Sequence, residues 1–184
     1  MSEPDEATRF AALYAASRAQ VYAYAVSKAG RQLADEIVSE VFVIAWRRFE
    51  VVPDPPLPWL LTVARNVAMN QFRSALREQS LASEMRVWVS QAELTVGDIA
   101  DDVADRVAVL TALASLSEPD RELLILVAWH DLPPKAAARV LGCSTATFFV
   151  RLHRARRRLA LALAAAGCEP VPDLLATASQ ERGR

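Results

Sequence analysis

The sequence predicts an all-α protein in which two small helical domains are joined by an acidic linker. The chain has only five glycines in 184 residues and is 53% hydrophobic, with frequent Ala and Leu, which favours helices. Apolar residues recur at helical spacing along most of its length. Charge is segregated, since residues 76–120 carry nine acids and three bases whereas residues 121–163 carry two acids and eight bases. This indicates two different surfaces, and basic modules often bind nucleic acid.

The first domain is predicted to span residues 5–76 and to contain three helices. The first covers residues 5–29 and ends at Gly30, because glycine is common where a helix stops. A second helix covers residues 33–49. The following stretch, EVVPDPPLPW, contains four prolines, which exclude a helix and predict a stiff loop before a third helix at 58–76. The expected core positions of the first helix are Phe10, Leu13, Val21, Tyr24 and Ala25.

The second domain is predicted over residues 101–167, after a linker at 77–100 that lacks a firm hydrophobic period. Its first helix covers residues 101–116. Ser117 is a candidate N-cap for the next helix, EPDRELLILVAWH, because serine accepts hydrogen bonds from first-turn amides and the following Pro and Asp suit that turn. The tail at 168–184 has two prolines and little pattern, so we expect it to be loose.

A helix-turn-helix pattern follows the break DLPP. The short helix KAAARVLG leads into a tight turn at Gly142–Ser144, and Ser144 is placed to cap a long final helix that Gly167 ends. In such a motif the first helix supports the second, and the second enters the major groove of DNA. The pattern therefore predicts a DNA-binding module.

The final helix has two faces when its side chains are placed at about 100° per residue. One is an apolar stripe expected in the core, made of Phe148, Leu152, Ala155 and Leu159. The other carries Ala146, Phe149, Val150, His153, Arg154 and Arg157. Phe149 and Val150 on this second face have three interpretations: contact with thymine methyls, the one apolar feature of the major groove, a wider core stripe, or a surface for a protein partner.

Five arginines fall within eight residues of the same helix, at positions 151, 154, 156, 157 and 158. Because they spread around the helix, most are expected to contact phosphates, which position a protein without specifying sequence. The alternative is a solvated helix end whose cations are favoured by the C-terminal dipole. So many arginines beside a turn motif favour nucleic acid.

Other classes of protein are disfavoured by the sequence. The start, MSEPDEATRF, lacks the layout of a signal peptide, and no apolar run reaches the roughly 18 residues of a membrane span, so a cytoplasmic protein is expected. Cys143 and Cys168 form no metal-ligand pattern with His130 and His153. With no Gly-rich phosphate loop and no nucleophile beside a base, we expect no cofactor, no metal and no enzymatic activity.

Over about residues 8–163, the chain resembles an extracytoplasmic-function (group 4) sigma factor of bacterial RNA polymerase. ADEIVSEVFVIAWRRF resembles the polymerase-binding helix, and PWLLTVARNVAMNQFR resembles the promoter-melting helix. LSEPDRELLILVAWHDL, AARVLGCS and RLHRARRRL resemble the domain that reads the −35 element. The resemblance implies a sigma2-like domain of three or four helices followed by a sigma4-like helix-turn-helix domain.

The function implied by the resemblance is that of an alternative-type sigma factor, which binds core RNA polymerase and directs promoter-specific initiation. Its implied partners are the clamp of the largest core subunit, promoter DNA and an anti-sigma factor, without membrane insertion of its own. The acidic linker would thread through the active-site and RNA-exit region of the polymerase. The alternative is a helix-turn-helix regulator with an N-terminal sensor module, although a sensor has no need of Arg65, Asn66 and Asn70 beside Trp59.

The resemblance also implies three sets of site residues. Core polymerase would contact Asp35, Glu36, Ser39, Glu40, Phe42, Trp46 and Arg47. The −10 element would contact Trp59, Arg65, Asn66, Asn70 and Arg73, and the loop EVVPDPPLP would hold a flipped base. The −35 element would contact Thr145, Ala146, Phe149, Val150, His153, Arg154 and Arg157. The alternatives are a solvated face beside a core for the first set and a core position for Trp59.

Two departures from the family pattern concern the helix-turn-helix. Pro133 and Ala136 stand where relatives usually carry Ser and Glu, which would form a capping box, and here a proline in the first turn replaces it. Phe149 and Val150 stand where a basic and a small polar residue are common. The −35 preference is therefore expected to be unusual, or the surface is shared with a regulator.

Overall fold

The computed structural model describes residues 5–75 and 109–165, and the side chains of 5–71 and 109–165. All regular elements in these ranges are helical, which confirms the predicted fold class. They are α1 (Glu6–Arg47), a 3-10 turn (Phe49–Val51), α2 (Leu57–Ala75), helical residues 109–115, α3 (Glu118–Ala128), α4 (Pro134–Val140) and α5 (Thr145–Ala165).

The described helices belong to two compact units. One contains α1, the 3-10 turn and α2, together with residues 135–143, and the other contains residues 109–134 and 144–165. α1 packs on α2 in the first unit, and α3 packs on α5 in the second. The linker at 77–100, residues 101–108, Gly167 and the tail at 168–184 lie outside the described residues, so the domain boundaries placed there stay predictions.

Gly30 reverses the direction of α1. Its φ of 76° and ψ of 169° lie in a backbone region that is essentially restricted to glycine. A straight helix would hold residues 10 and 46 about 54 Å apart at 1.5 Å per residue, yet the rings of Phe10 and Trp46 lie edge to face with centroids 4.9 Å apart. The two helices predicted on either side of Gly30 therefore form an antiparallel hairpin.

The core of the first unit lies between this hairpin and α2. Val21, Tyr24 and Ala25 are buried as expected, whereas Phe10 and Leu13 are half-buried near the open end of the hairpin. The second arm of α1 and the inner face of α2 supply the rest at helical spacing. These buried residues include Ile37, Val38, Val41, Ala45, Leu60, Leu61, Ala64, Val67 and Ala68.

Ser117 stands before the first turn of α3, but its side chain makes no capping hydrogen bond, so the predicted side-chain cap is wrong. Its backbone carbonyl instead accepts hydrogen bonds from the amides of Asp120 and Arg121, both at 3.0 Å. Pro119 lies in the first turn as expected, where its missing amide costs nothing. This turn therefore depends on the backbone and on proline.

α3 ends at Ala128, two residues earlier than predicted, because the chain turns sharply at its C-terminus. The amide of His130 donates to the carbonyl of Ile125 at 3.2 Å, and that of Leu132 to Leu126 at 3.1 Å. Asp131 follows with a φ of 47°, in the left-handed region that Asp tolerates better than most residues. This turn brings the chain out of the helix and into α4.

The turn between α4 and α5 forms as the sequence predicts. Gly142 has a φ of 66° and its amide donates to Arg139, while the amide of Cys143 donates to Ala138 at 3.0 Å. This is the pattern of a Schellman motif, which needs glycine at its left-handed position. Ser144 then accepts a hydrogen bond from the Thr147 amide at 3.1 Å through Oγ, which confirms the predicted cap of α5.

His130 is buried, and burial lowers its pKa below the ordinary value of 6.5. The unfolded chain therefore binds more protons than the folded chain once the pH falls below about 6.5, and stability decreases on acidification until the folded pKa is passed. We expect His130→Gln to reduce this decrease, by at most about 1.4 kcal/mol per pH unit. Thermal unfolding between pH 5 and 8 measures it, with exposed His153→Gln as the control. An unchanged pH dependence in His130→Gln would contradict the expectation.

Candidate functional site

One side of α5 is buried and the opposite side is exposed. Phe148, Leu152, Ala155 and Leu159 are buried as predicted, and Leu163 continues the stripe. The exposed side holds every residue assigned to −35 contact: Thr145, Ala146, Phe149, Val150, His153, Arg154 and Arg157. The structure thus brings this predicted set together on one helical face, which we call the α5 exposed face.

Phe149 and Val150 are not core residues, since they are 40% and 51% exposed. This removes the wider-core interpretation and leaves contact with DNA or with a protein. The ring of Phe149 lies edge to face with that of buried Phe148, with centroids 5.9 Å apart. Phe149 therefore presents part of its ring to solvent while the core supports the rest.

The five arginines of α5 differ in environment. Arg154 and Arg157 are exposed on the α5 exposed face, whereas Arg151 and Arg156 are half-buried. Burial lowers the pKa of Arg156, because desolvation penalises its charged form. Arg158 donates from Nη1 to Oδ2 of Asp120 at 2.5 Å. Sequence spacing could not reveal this ion pair, because its partners are far apart in the chain.

α2 also has two distinct faces. Leu60, Leu61 and Ala64 point into the core, while Asn66 and Asn70 are exposed one helical turn apart. The other members of the −10 set are half-buried Trp59 and Arg65, and Arg73, whose side chain lies outside the described residues. At about 100° per residue, positions 59, 66, 70 and 73 share one face, so Trp59 lies on the same side of α2 as the two exposed amides.

The segment before α2 is partly helical, in contrast to the prediction of a loop throughout. Phe49–Val51 form a 3-10 turn, because the first proline comes only at position 53 and leaves these residues free to close a short turn. Residues 52–56 carry three prolines and are irregular as expected. Val51 is 67% exposed at the entrance to this loop.

The second arm of α1 exposes most of the residues assigned to polymerase contact. Asp35, Glu36, Glu40 and Arg47 are exposed. Ser39 is exposed too, and its Oγ donates to the backbone carbonyl of Asp35 at 2.8 Å. Apolar groups interrupt this charged surface at Trp46 and at Val43, which are 47% and 48% exposed. Val43 is absent from the predicted set, although its position between Glu40 and Arg47 on the same stripe indicates that it is exposed.

Phe42 differs from the rest of the set because it is a core residue, only 5% exposed. Its ring packs edge to face against Tyr14 at 4.6 Å and against Phe10 at 6.4 Å between centroids. The prediction that Phe42 belongs to the contact surface is therefore wrong, because Phe42 lies beneath that surface. The reason is the reversal at Gly30, which brings the first arm of α1 over this position.

An aromatic cluster closes the open end of the hairpin next to this surface. Phe10 contacts Trp46 and also Phe49, whose ring centroid is 5.7 Å away. The guanidinium of Arg9 lies 5.3 Å above the Phe49 ring, a distance typical of a cation–π contact. The exposed indole of Trp46 is thus held from behind by Phe10.

Within residues 5–75 and 109–165, no group of three His, Cys, Asp or Glu side chains is placed to hold a metal ion. Across the same stretches, none of the helices combines the length and the apolar character that a membrane crossing requires. The candidate sites are three exposed helical faces, on α1, α2 and α5.

Two family models match the chain. Residues 13–78 match the model described as Sigma-70 region 2, and residues 106–159 match the model described as Sigma-70, region 4. The first match contains the α1 and α2 faces, and the second contains the α5 exposed face. The two matched regions therefore follow one another along the chain in the same order as the candidate sites they contain.

Curated relatives extend the similarity over most of the chain. The ECF RNA polymerase sigma factor SigL of Mycobacterium tuberculosis is 32% identical over 162 residues, which cover 86% of this chain and 90% of SigL. The ECF RNA polymerase sigma factor EcfG of Rhodopseudomonas palustris is 31% identical over 152 residues, covering 80% of this chain and 81% of EcfG.

A solved structure has a similar fold. The sigma factor RpoE of Bartonella quintana, crystallised in complex with the anti-sigma factor NepR, superposes with a TM-score of 0.65. The match covers 85% of this chain and 97% of that one at 24% identity. At this level of identity the likeness concerns the fold.

Proposed function

The chain belongs to the extracytoplasmic-function family of RNA polymerase sigma factors, and from that premise we propose which of its surfaces performs each step of initiation. It binds core RNA polymerase and directs promoter-specific transcription initiation. The proposal assigns polymerase binding to the second arm of α1, −10 recognition and melting to α2, and −35 recognition to the α5 exposed face.

The observation that supports this assignment most strongly is the separation of faces on α5. A helix that enters the major groove needs exposed groups for bases and phosphates on one side and a buried stripe on the other. All seven residues of the −35 set are exposed, while the stripe from Phe148 to Leu163 is buried. Arg154 and Arg157 supply the phosphate contacts, and Phe149 and Val150 supply apolar groups for base edges.

On α1, the proposed polymerase surface combines acids with a supported indole. Glu36 and Glu40 would meet basic groups on the clamp of the largest subunit, and Trp46 would act as an anchor, because large aromatic rings dominate many interfaces. The cluster behind Trp46 holds its ring in place, so little side-chain entropy is lost on binding.

On α2, Asn66 and Asn70 would hydrogen-bond to unpaired bases of the −10 element, and Trp59 would stack beside them. The irregular residues 52–56 would receive a flipped base. The protein would act without chemistry of its own in the cytoplasm, where promoter DNA and polymerase are found. An anti-sigma factor would be a further partner, as one is for the Bartonella sigma factor.

Run-off transcription with core enzyme and a randomised promoter library tests the assignment. A sigma factor is expected to support initiation on a subset of templates only when core polymerase is present. A helix-turn-helix regulator with a sensor module would bind DNA without core and would not initiate. Absence of initiation on every template would reject the proposal.

Phe149→Ala is expected to weaken binding to the preferred −35 sequence by about fivefold or more, on the order of 1 kcal/mol for the lost apolar contact. The loss should shrink when the contacted thymine is replaced by uracil, which lacks the methyl group. Competition binding of the polymerase complex on thymine and uracil duplexes measures both effects. Leu161→Ala, which removes an exposed apolar group about three helical turns beyond Phe149 on α5, is the matched control.

A protein-partner role for Phe149 would give a different result. DNA affinity would stay at the parental value on both duplexes, and only binding to the regulator would fall. Equal affinity of Phe149→Ala and the parent for the thymine site would therefore remove Phe149 from the base-reading set.

A further inference from the structure

We infer that Arg158 is a positioning residue rather than a phosphate contact, and that its ion pair with Asp120 holds α5 on α3 in the orientation needed to present the α5 exposed face to the −35 element. The inference rests on the proposed function of α5. On this inference Arg158 has a different role from the other four arginines of α5.

The contact itself is short and specific. Nη1 of Arg158 lies 2.5 Å from Oδ2 of Asp120, which is closer than the roughly 2.7–2.9 Å of most charge-assisted hydrogen bonds from a guanidinium to a carboxylate. Asp120 is 7% exposed, so its carboxylate has little access to water. A buried carboxylate of this kind depends on its partner, because an unpaired charge would be costly there.

Asp120 is a firm anchor because it belongs to the first turn of α3. Its own amide donates to the carbonyl of Ser117 at 3.0 Å, and an acid in this turn is favoured by the helix dipole. α3 in turn buries Leu123, Leu124 and Leu126. Because α3 is packed into the core, Asp120 has a fixed position, and so has the guanidinium of Arg158 that pairs with it.

Arg158 is suited to set the rotation of α5 about its axis. At about 100° per residue it projects from the flank, between the buried stripe and the α5 exposed face. It follows the last residue of that face, Arg157, directly in the chain. Fixing the flank fixes the direction of the exposed face, because α5 is one helix without a break from Thr145 to Ala165.

The arginines that remain available for phosphates are fewer than the sequence suggests. Arg154 and Arg157 are exposed on the α5 exposed face, and no described acid pairs with them in the structure. Arg158 pairs with Asp120 through Nη1, while 58% of its side chain remains exposed. Removing Arg157 and removing Arg158 should consequently have different effects on DNA binding.

The test compares the full chain bound to core polymerase with five variants: Arg157→Met, Arg158→Met, Arg158→Lys, Asp120→Asn, and Asp120→Asn combined with Arg158→Met. The probes are duplexes selected from a randomised pool by the parent complex and a scrambled duplex. Affinity is measured against salt concentration at a temperature where circular dichroism shows each variant to be folded. A parent without preference for the selected duplexes would reject the proposed function itself, and the positioning role with it.

With parental preference established, Arg157→Met should lower the salt slope by about one ion. Arg158→Met should leave the slope unchanged and lower affinity for the selected duplexes on the order of tenfold, because a misdirected helix loses base contacts. Asp120→Asn should also weaken binding, although it removes a negative charge that repels DNA. Arg158→Lys, which keeps the cation, should recover part of the loss.

Three results would overturn the inference. A salt slope that falls by one ion in Arg158→Met would make Arg158 a phosphate contact. Tighter binding by Asp120→Asn would show that only net charge matters. If folded Arg158→Met and Asp120→Asn both bind DNA with parental affinity and differ only by a lower melting temperature, the pair is a stabilising contact and nothing more. Combining Asp120→Asn with Arg158→Met should add little to either, since the residues act as a unit.

Discussion

Reversing the charges of Glu36 and Glu40 together, as Glu36→Lys with Glu40→Lys, is expected to lower affinity for core polymerase on the order of 100-fold, because the surface would then repel the basic groups that we propose it attracts. Both side chains are exposed on the second arm of α1, so no core is emptied and the protein should fold normally. Titration of labelled protein with core enzyme gives the affinity, and thermal unfolding checks the fold.

The matched control for this variant is Asp5→Lys with Glu6→Lys, which changes net charge by the same amount. Both acids are exposed at the start of α1, and Asp5 makes no capping hydrogen bond with its side chain. Binding of the control should stay close to that of the parent. If the Glu36 and Glu40 variant binds core as tightly as this control, the α1 assignment is wrong.

Replacing both exposed asparagines of α2, as Asn66→Ala with Asn70→Ala, is expected to slow open-complex formation on duplex promoter about 10- to 100-fold. Each asparagine would lose hydrogen bonds to an unpaired base, at about 0.5–1.5 kcal/mol apiece. Stopped-flow fluorescence of a base analogue in the −10 element follows opening directly. A template melted beforehand across this element should restore part of the rate, because the energy of strand separation is no longer required.

Gln20→Ala with Gln32→Ala is the control, because it also removes two exposed amides from the first unit. It should open duplex promoter at the parental rate. Equal opening rates for the asparagine variant and this control would exclude Asn66 and Asn70 from melting.

Local signals in the sequence predicted the helices and their ends well. Gly30 and Gly142 both carry the positive φ expected of a glycine that ends a helix, and the spacing of Phe148, Leu152, Ala155 and Leu159 identified the buried stripe of α5. These features depend on residues within one or two helical turns. The pattern of a single segment therefore contains the information needed.

Features that depend on distant residues were not predictable in this way. The pattern of its own helix, an aromatic beside acids, predicts that Phe42 lies on a surface, but Phe10 and Tyr14 cover it from the other arm. In sequence Arg158 is like the four other arginines of α5, and only its contact with Asp120 distinguishes it. Ser117 has the right residue type and position for a cap, yet its hydroxyl makes no such bond, since propensity does not determine a rotamer.

The reversal at Gly30 has an evolutionary consequence. A methyl group added there would meet no atom within 4 Å, so neither crowding nor a contact restricts the position. The restriction comes from its φ and ψ alone, which side chains avoid. Gly142 is less constrained, because asparagine also serves at the left-handed end of a helix. Selection is therefore expected to purge nearly all substitutions at Gly30 for the sake of its backbone conformation, so a position where an added side chain would meet no neighbour would be among the slowest to evolve.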